Sequence, residues 1–278
     1  MQMDESAAMG TSAPASRSNA LKAYEAGQVR RKQMVFLSQI LFAAVFLSFW
    51  EWASGRIIDP FFVSSPSAVF GKLYAWTLSG ELWTHLSITL YATALGFLIG
   101  AAIGFALGIL FGKFAFLAEV MDPFITALYS IPKLALAPLF IIWFGIGIES
   151  KIAVSASIVF FVVFLNTYSG VREVNPLFIN ATKIMGASSW AVTRTVIIPS
   201  ATAWVITGLK VSVPYALVGT VIGEFMSSNR GIGFIIAQAT GLFDTNSVFA
   251  GIIILAFVGA LINVGLKKTE AHLLRWKD

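Results

Sequence analysis

Long hydrophobic runs alternate with short polar segments along most of this 278-residue chain. A helix needs roughly 20 apolar residues to cross the hydrocarbon core of a bilayer, and six stretches reach or approach that length. They centre on Val35–Trp52, Ser87–Phe111, Ile125–Phe144, Ile152–Tyr168, Ala201–Phe225 and Val248–Leu266. The pattern therefore predicts an all-α polytopic membrane protein with six transmembrane helices.

Composition agrees with a membrane location and narrows the possible chemistry. Hydrophobic residues make up 57% of the chain and charged residues 12%, which is too apolar for a soluble domain of this length. The chain has no cysteine, and its two histidines, His85 and His272, lie far apart in sequence. Disulfides and thiolate metal sites are therefore excluded, and we predict no metal site.

The positions of lysine and arginine predict the orientation of the spans, because positive residues favour cytoplasmic loops. Of the 19 lysines and arginines, thirteen lie on the side of the N-terminus, four lie on the other side, and Lys133 and Lys210 lie within spans. Both termini are thus expected in the cytoplasm. Residues 1–33 are predicted to form a mostly disordered cytoplasmic tail, and residues 34–278 the transmembrane domain.

The outer segment from Ser54 to Leu82 is longer than a simple turn. It contains Ser64-Ser-Pro-Ser, followed by Val69, Phe70, Leu73 and Trp76. A capping serine ahead of apolar residues at helical spacing predicts a short interfacial helix, for which we expect a structural role.

The second span carries a glycine at every fourth position, which places the glycines along one face of a helix. These residues are Gly96, Gly100, Gly104, Gly108 and Gly112. Small residues at this spacing allow two membrane helices to approach closely. We expect packing against a neighbouring helix of the same subunit; the alternatives are a subunit interface or sliding during a conformational cycle.

The third span is interrupted by Pro123, Pro132 and Pro138, so it requires a kink or an unwound stretch. Lys133 follows the middle proline and is expected near the middle of the membrane, where an unpaired charge is costly. Two roles remain open. The ammonium either pairs with a carboxylate or with carbonyls freed by the prolines, or it lines a translocation pathway and attracts anions.

Glu224 lies at the end of the fifth span, near the outer side in the predicted topology. It is a second candidate for the translocation pathway, where it would orient a gate. It could also pair with Arg230 or cap a structural hydrogen-bond network. A structural role is favoured, because carboxylates near the ends of spans are not expensive to hydrate.

The chain carries none of the sequence motifs that indicate catalysis or nucleotide binding. GxSxG, HExxH and the Walker-type GxxxxGK[ST] are all missing from the sequence. We therefore predict no catalytic residue, and if transport is driven by ATP, another polypeptide must bind the nucleotide. The residues considered so far also leave open an ion-driven secondary transporter and an intramembrane enzyme.

A polar segment between two spans, Asn180–Pro199, carries the most specific pattern in the chain. It resembles the EAA-loop signature of importer-type ABC transporter permeases: Asn180-Ala181-Thr182 stands at the EAA positions, Gly186 keeps the glycine spacing, and Val196-Ile-Ile-Pro199 completes the register. The resemblance extends through most of Phe61–Leu266. Ile131-Pro-Lys-Leu-Ala-Leu-Ala-Pro-Leu and Trp143-Phe-Gly-Ile-Gly are similar to the subgroup that imports sulfonates, taurine, nitrate and related solutes.

The resemblance implies a type I ABC importer permease fold in the bacterial cytoplasmic membrane. It also implies a homodimer, two cytoplasmic ATPase subunits that bind ATP and magnesium, and a solute-binding protein that delivers substrate to the outer face. A coupling helix near residues 176–192 would contact the ATPase. The residues assigned to this contact are Asn180, Ala181, Thr182, Met185, Gly186, Ala187, Trp190 and Pro199.

Two positions depart from the pattern of the family. Asn180 stands where an acidic residue is usual, and Thr182 stands where alanine is usual. Asparagine offers only a neutral hydrogen bond, which is typically weaker than a charge-assisted one. The sequence thus predicts a permease subunit that moves a small anion into the cytoplasm by alternating access, with an altered contact at Asn180.

Overall fold

The computed structural model describes residues 14–226 and 229–273, and every regular element in these two ranges is helical. The chain divides into two compact units, Met1–Pro60 and Phe61–Asp278. Helices α1 to α12 span Pro14–Ala53, Pro60–Val63, Pro66–Ser79, Glu81–Lys113, Ala115–Ser130, Lys133–Phe144, Ile148–Arg172, Pro176–Ile184, Ser189–Val192, Ile198–Met226, Ile232–Gly241 and Thr245–Leu273. A π-helical turn, Thr193–Ile197, joins α9 to α10.

Five of the described helical segments are long and apolar enough to cross a membrane: Gly27–Ala53, Glu81–Lys113, Ile148–Arg172, Ser189–Met226 and Thr245–Leu266. Helices α5 and α6 pass the same criteria together, but they meet at 93°. Counting this broken pair as one span gives the predicted six. The break falls at Pro132, whereas Pro123 and Pro138 lie inside α5 and α6, so one of the three prolines interrupts the third span.

The N-terminal unit corrects one expectation. Helix α1 begins at Pro14, so residues 14–32 are helical rather than disordered, while residues 1–13 lie outside the described part of the chain. Alanine, lysine, glutamine, glutamate and arginine dominate this stretch, and all have high helix propensity. The helix therefore continues from the apolar span into the polar segment that precedes it.

Helices α4 and α7 form the closest contact in the C-terminal unit, and the glycine row lies on that contact. A Cβ atom added to Gly100 would lie 2.5 Å from the carbonyl oxygen of Ala156, and one added to Gly104 would lie 2.7 Å from that of Phe160. Because these neighbours are backbone atoms, a side chain could not be admitted without moving a helix. The glycines thus pack against a helix of the same chain, as expected.

Helix α10 packs on the same part of α7 through a second pair of glycines. A Cβ atom at Gly219 would lie 2.7 Å from Cα of Ser155, and one at Gly223 would lie 2.8 Å from Cα of Lys151. The buried Ser155 hydroxyl donates a hydrogen bond to the carbonyl oxygen of Ala216, at 2.9 Å. Helix α7 is therefore held between α4 and α10.

The predicted helix after Ser64 is present as α3, and its start has the expected capping residues. Ser65 accepts a hydrogen bond from the backbone N–H of Ala68, and Pro66 occupies the first turn. Lys72 of α3 forms an ion pair with Asp244, at 3.2 Å, which ties α3 to the turn before α12. Burial alone would raise the pKa of the Asp244 carboxyl, but hydrogen bonds from Ser247 and Lys72 hold it below its ordinary value.

The glycine contact predicts a position-dependent effect of adding one methyl group. Gly100→Ala places Cβ against the Ala156 carbonyl, and such overpacking typically costs about 1–3 kcal/mol. We expect a lower melting temperature for the purified variant in detergent. Gly259→Ala is the matched control, because a Cβ atom at this α12 position meets nothing within 4 Å. Equal melting temperatures for the two variants would contradict the assigned contact.

Candidate coupling and translocation sites

The polar segment between the spans begins with a short amphipathic helix, α8. Asn175 caps it by accepting a hydrogen bond from the backbone N–H of Leu177, at 2.9 Å, and Pro176 occupies its first position, where a missing N–H costs least. Within α8, Asn180 and Ala181 are exposed. The hydroxyl of Thr182 donates to the carbonyl oxygen of Phe178, at 2.7 Å.

Gly186 ends α8 in a left-handed turn with φ of +85°. Its backbone N–H donates to the carbonyl oxygen of Lys183, at 2.9 Å, and the N–H of Ala187 donates to that of Thr182, at 3.2 Å. A Cβ atom at Gly186 would meet nothing within 4 Å. Glycine is therefore required here by the backbone conformation and not by a lack of space. Gly186 therefore forms a sharp turn between α8 and α9.

The chain re-enters the bundle earlier than the sequence indicated. Ser188 caps α9 by accepting from the N–H of Ala191, and α9 continues through the π-helical turn into α10 as one apolar segment, Ser189–Met226. Pro199 is the second residue of α10, and the helical segment that contains it has already begun at Ser189. The N–H of Ile198 donates to Thr193, five residues back, in the wider turn just ahead of the proline.

The α8–α9 segment presents apolar side chains to its surroundings while its base is anchored in the bundle. Met185 and Trp190 are 87% and 68% exposed. The base contains the buried residues Val171, Val174, Val192, Ile197 and Ala201, against which Ile179 and Ala187 pack. Ala187 thus belongs to the anchor, whereas Met185 and Trp190 belong to the exposed face. An exposed apolar face on a rigid base is typical of an interaction surface.

Lys133 bridges the break between α5 and α6. Its ammonium group donates to the carbonyl oxygens of Leu128, Tyr129 and Ile131, at 2.7, 3.2 and 3.0 Å. Pro132 has no N–H, so the carbonyl of Leu128 cannot receive its usual partner four residues on. The ammonium also lies 4.2 Å from the ring centre of Phe161. Of the two open roles, pairing with freed carbonyls is present in the structure.

Glu224 lies in α10 and is 1% exposed, which corrects the expectation of a hydrated carboxylate. One carboxylate oxygen accepts from the hydroxyl of Thr89, at 2.8 Å, and the other accepts from the backbone N–H of Gly233, at 2.8 Å. Part of the shielding comes from α11, whose ten residues are too few to cross a membrane and which was therefore not predicted as a span. The expected structural hydrogen-bond network is confirmed.

The candidate residues separate into three places. The coupling candidates gather in the α8–α9 segment and the start of α10, Lys133 lies at the α5–α6 break, and Glu224 lies near the far end of α10. Two residues near Glu224, Thr89 and Lys151, were not expected from the sequence. A signal was available for one of them: Thr89 and Thr93 are polar residues four apart within an apolar span, and therefore share a helix face.

Comparison with known proteins supports one family. The family model for the binding-protein-dependent transport system inner membrane component matches residues 100–271. A putative aliphatic sulfonates transport permease protein of Bacillus subtilis is 35% identical over 249 residues, covering 89% of this chain and 90% of its own length. A formylaminopyrimidine transport permease protein of Halalkalibacterium halodurans is 34% identical, covering 87% and 96%. A taurine transport system permease protein of Escherichia coli is 31% identical, covering 88% and 90%.

The fold agrees with these relationships. A chain of the MetNI methionine ABC transporter, in an inward-facing conformation, superposes with a TM-score of 0.56 at 20% identity. The superposition covers 70% of this chain and 94% of that chain. With the family model matched over more than half of the sequence, this chain belongs to the family of binding-protein-dependent transport system inner membrane components.

Proposed function

We propose that this ABC importer permease subunit carries a small organic or inorganic anion, such as a sulfonate, taurine or nitrate, into the cytoplasm. Two of the relatives described above are named for aliphatic sulfonates and taurine, which supports the anionic class. The formylaminopyrimidine relative has similar identity, so family membership alone does not specify the solute. The reaction is translocation by alternating access, without a covalent step in this chain.

The single observation that carries the proposed mechanism is the construction of the α8–α9 segment. Met185 and Trp190 are exposed on a segment whose helix runs directly into α10. A partner that binds this face would therefore displace a transmembrane helix directly rather than a flexible loop. Rigid-body motion of helices around an interface is a common way to convert a local contact into a global change.

The partner that fits this face is the ATP-binding cassette ATPase, which the permease family implies together with a solute-binding protein. We propose two ATPase copies on a homodimer of this chain, with ATP and magnesium bound by the ATPase and no catalytic residue here. The coupling residues are then Asn180, Ala181, Thr182, Met185, Gly186, Trp190 and Pro199, with Ala187 supporting them from below. The location is the bacterial cytoplasmic membrane, with both termini in the cytoplasm.

The translocation pathway is proposed to pass the α5–α6 break. Irregular backbone at membrane depth is tolerated where it is buried in protein or lines a water-filled cavity. Lys133 satisfies the carbonyls at this break and keeps a positive charge there. In this proposal Lys133 shapes the pathway and attracts the anion, while Glu224 acts on the pathway through the position of α11.

The coupling proposal predicts that a charge at the turn uncouples ATP hydrolysis from transport. Gly186→Asp introduces a carboxylate into the face that meets the ATPase, so solute-stimulated ATP hydrolysis should fall at least about tenfold, which corresponds to ~1.4 kcal/mol of lost contact. Membrane insertion should be unchanged. The measurement is ATPase activity of the reconstituted complex, with and without solute.

The matched control for this variant is Gly80→Asp. Gly80 has φ of +80°, close to the +85° of Gly186, and a Cβ atom at either position meets nothing within 4 Å. Both variants therefore carry similar backbone strain, but only one lies in the coupling segment. Normal transport by the Gly186 variant, or equal loss in both variants, would contradict the coupling assignment.

The pathway proposal predicts a transport defect when the ammonium of Lys133 is removed. Lys133→Met keeps most of the length of the side chain but loses the positive charge and the three hydrogen bonds to backbone carbonyls. We expect uptake of radiolabelled ethanesulfonate to fall at least about tenfold, with less than a twofold change in the amount of assembled complex. Lys210→Met, in α10, is the control. Uptake equal to wild type would remove Lys133 from the pathway.

A further inference from the structure

The start of α11 is held by three side chains that belong to other helices. The backbone N–H groups of Gly231, Ile232 and Gly233 are consecutive, and each donates to a different acceptor. The acceptors are Nδ1 of His85 at 2.9 Å, the hydroxyl of Thr89 at 2.9 Å, and a carboxylate oxygen of Glu224 at 2.8 Å. We call His85, Thr89 and Glu224 the α11 cap.

The α11 cap satisfies a requirement that every helix has. The first N–H groups of a helix have no partner within the helix, and they carry a partial positive charge that favours a nearby carboxylate. Most helices meet this need with a residue just ahead of their first turn. Here two acceptors come from α4 and one from α10, so the hydrogen bonds that complete α11 also tie it to both helices.

The two glycines at the start of α11 are required by this arrangement. A Cβ atom at Gly231 would lie 2.1 Å from a carboxylate oxygen of Glu224, and the backbone there has φ of +122°. A Cβ atom at Gly233 would lie 2.9 Å from Cβ of Glu224. The Gly231-Ile-Gly233 pattern, too weak to interpret in the sequence, therefore leaves space for the Glu224 carboxylate.

A buried cation strengthens the same cluster from α7. Lys151 is 2% exposed, and its ammonium group donates to the backbone carbonyl oxygen of Arg230, at 2.7 Å. It also attracts the carboxylate of Glu224 electrostatically. The chain just ahead of α11 is thus fixed by α4, α7 and α10 together.

Side-chain packing restrains the rest of α11. The rings of His85 and Phe234 are stacked, with centroids 6.0 Å apart and planes inclined by 8°. On α12, a Cβ atom at Gly251 would lie 2.4 Å from Cγ1 of Ile236, so α11 and α12 approach closely there. Helix α11 therefore has contacts to other helices both at its first residues and in its middle.

The α11 cap lies far from the coupling segment along the same helix. Helix α10 has 29 residues, which is roughly 40 Å at 1.5 Å per residue. Glu224 is near its last turn, whereas the α8–α9 segment adjoins its first turn. A movement imposed at the coupling segment would therefore reach α11 through α10 and Glu224.

We propose that Glu224 is a positioning residue for transport, and that the α11 cap makes α11 move as one rigid body with α4 and α10. This inference rests on the proposed transport function for its consequence, but the cap itself is defined by the hydrogen bonds alone. Helix α11 then does not move independently of α4 and α10. Loss of the cap should free the start of α11 and slow translocation, without changing the solute that is accepted.

The test combines hydrogen–deuterium exchange with uptake, using the full chain in lipid nanodiscs and, for uptake, the importer reconstituted with its ATPase and binding protein. In Glu224→Ala, the N–H of Gly233 loses its acceptor and the hydroxyl of Thr89 loses the carboxylate that positions it. The start of α11 should then open more easily, so that amides 231–233 exchange at least about tenfold faster than in wild type. The maximal uptake rate of ethanesulfonate should fall at least about fivefold. The ethanesulfonate concentration for half-maximal uptake should stay within about twofold.

The conservative variant should rescue most of the effect. In Glu224→Gln, the amide oxygen can accept from Gly233 and the amide nitrogen can donate to Thr89, so exchange should stay within about threefold and the uptake rate above about half of wild type. Glu149→Gln, an exposed carboxylate at the start of α7, is the matched control. If Glu224→Ala does not fold, Thr89→Val removes the acceptor for Ile232 while keeping the side-chain shape, and it should give the same faster exchange.

Several results would overturn the inference. Unchanged exchange of amides 231–233 in Glu224→Ala would mean that the cap does not hold α11. Faster exchange with a normal uptake rate would mean that the rigidity is not needed for transport. A changed half-maximal concentration with an unchanged maximal rate would mean that Glu224 contacts the solute. A wild-type complex that imports no anion would reject the proposed substrate class, while the exchange measurement would still decide whether the cap exists.

Discussion

The close contact between α4 and α7 is the constraint on which the rest of the bundle depends. Five glycines at four-residue spacing let the two backbones approach until no side chain fits between them, as the distances at Gly100 and Gly104 show. Without a hydrophobic driving force between helices in lipid, such van der Waals packing supplies much of the association energy. Helix α7 meets α10 through Gly219 and Gly223 in the same way, so three helices share one rigid core.

Helix α10 belongs to this rigid core, and a different element adjoins each of its ends. At one end, the α8–α9 segment exposes Met185 and Trp190 on a base fixed in the core. At the other end, Glu224 fixes α11 to the same core. The α5–α6 pair differs from this core, because Pro132 interrupts the helix there and the ammonium group of Lys133 donates to the carbonyl oxygen of Leu128. The bundle thus combines a tightly packed core with a break between α5 and α6, an arrangement that is compatible with rigid-body movements of helices.

The features that the sequence predicted correctly are those that depend on the chemistry of individual residues. The glycine row predicted a close helix contact because glycine has no side chain, and the prolines of the third span predicted a broken helix because proline has no backbone N–H. The sequence did not reveal α11 or its cap, since the partners of Glu224 lie 135 residues earlier at Thr89 and nine residues later at Gly233. The burial of Glu224 was also missed for this reason: what excludes water from it is a tertiary contact rather than a property of its own span.

We propose that this permease needs a separate ATPase, bound at the α8–α9 segment, to move its solute. The most direct measurement is uptake of ethanesulfonate into proteoliposomes that contain the permease with its ATPase and binding protein, compared with proteoliposomes that contain the permease alone under an ion gradient. We expect ethanesulfonate uptake only when the ATPase and ATP are both present. Concentrative uptake by the permease alone, driven by the ion gradient, would contradict it and identify a secondary transporter.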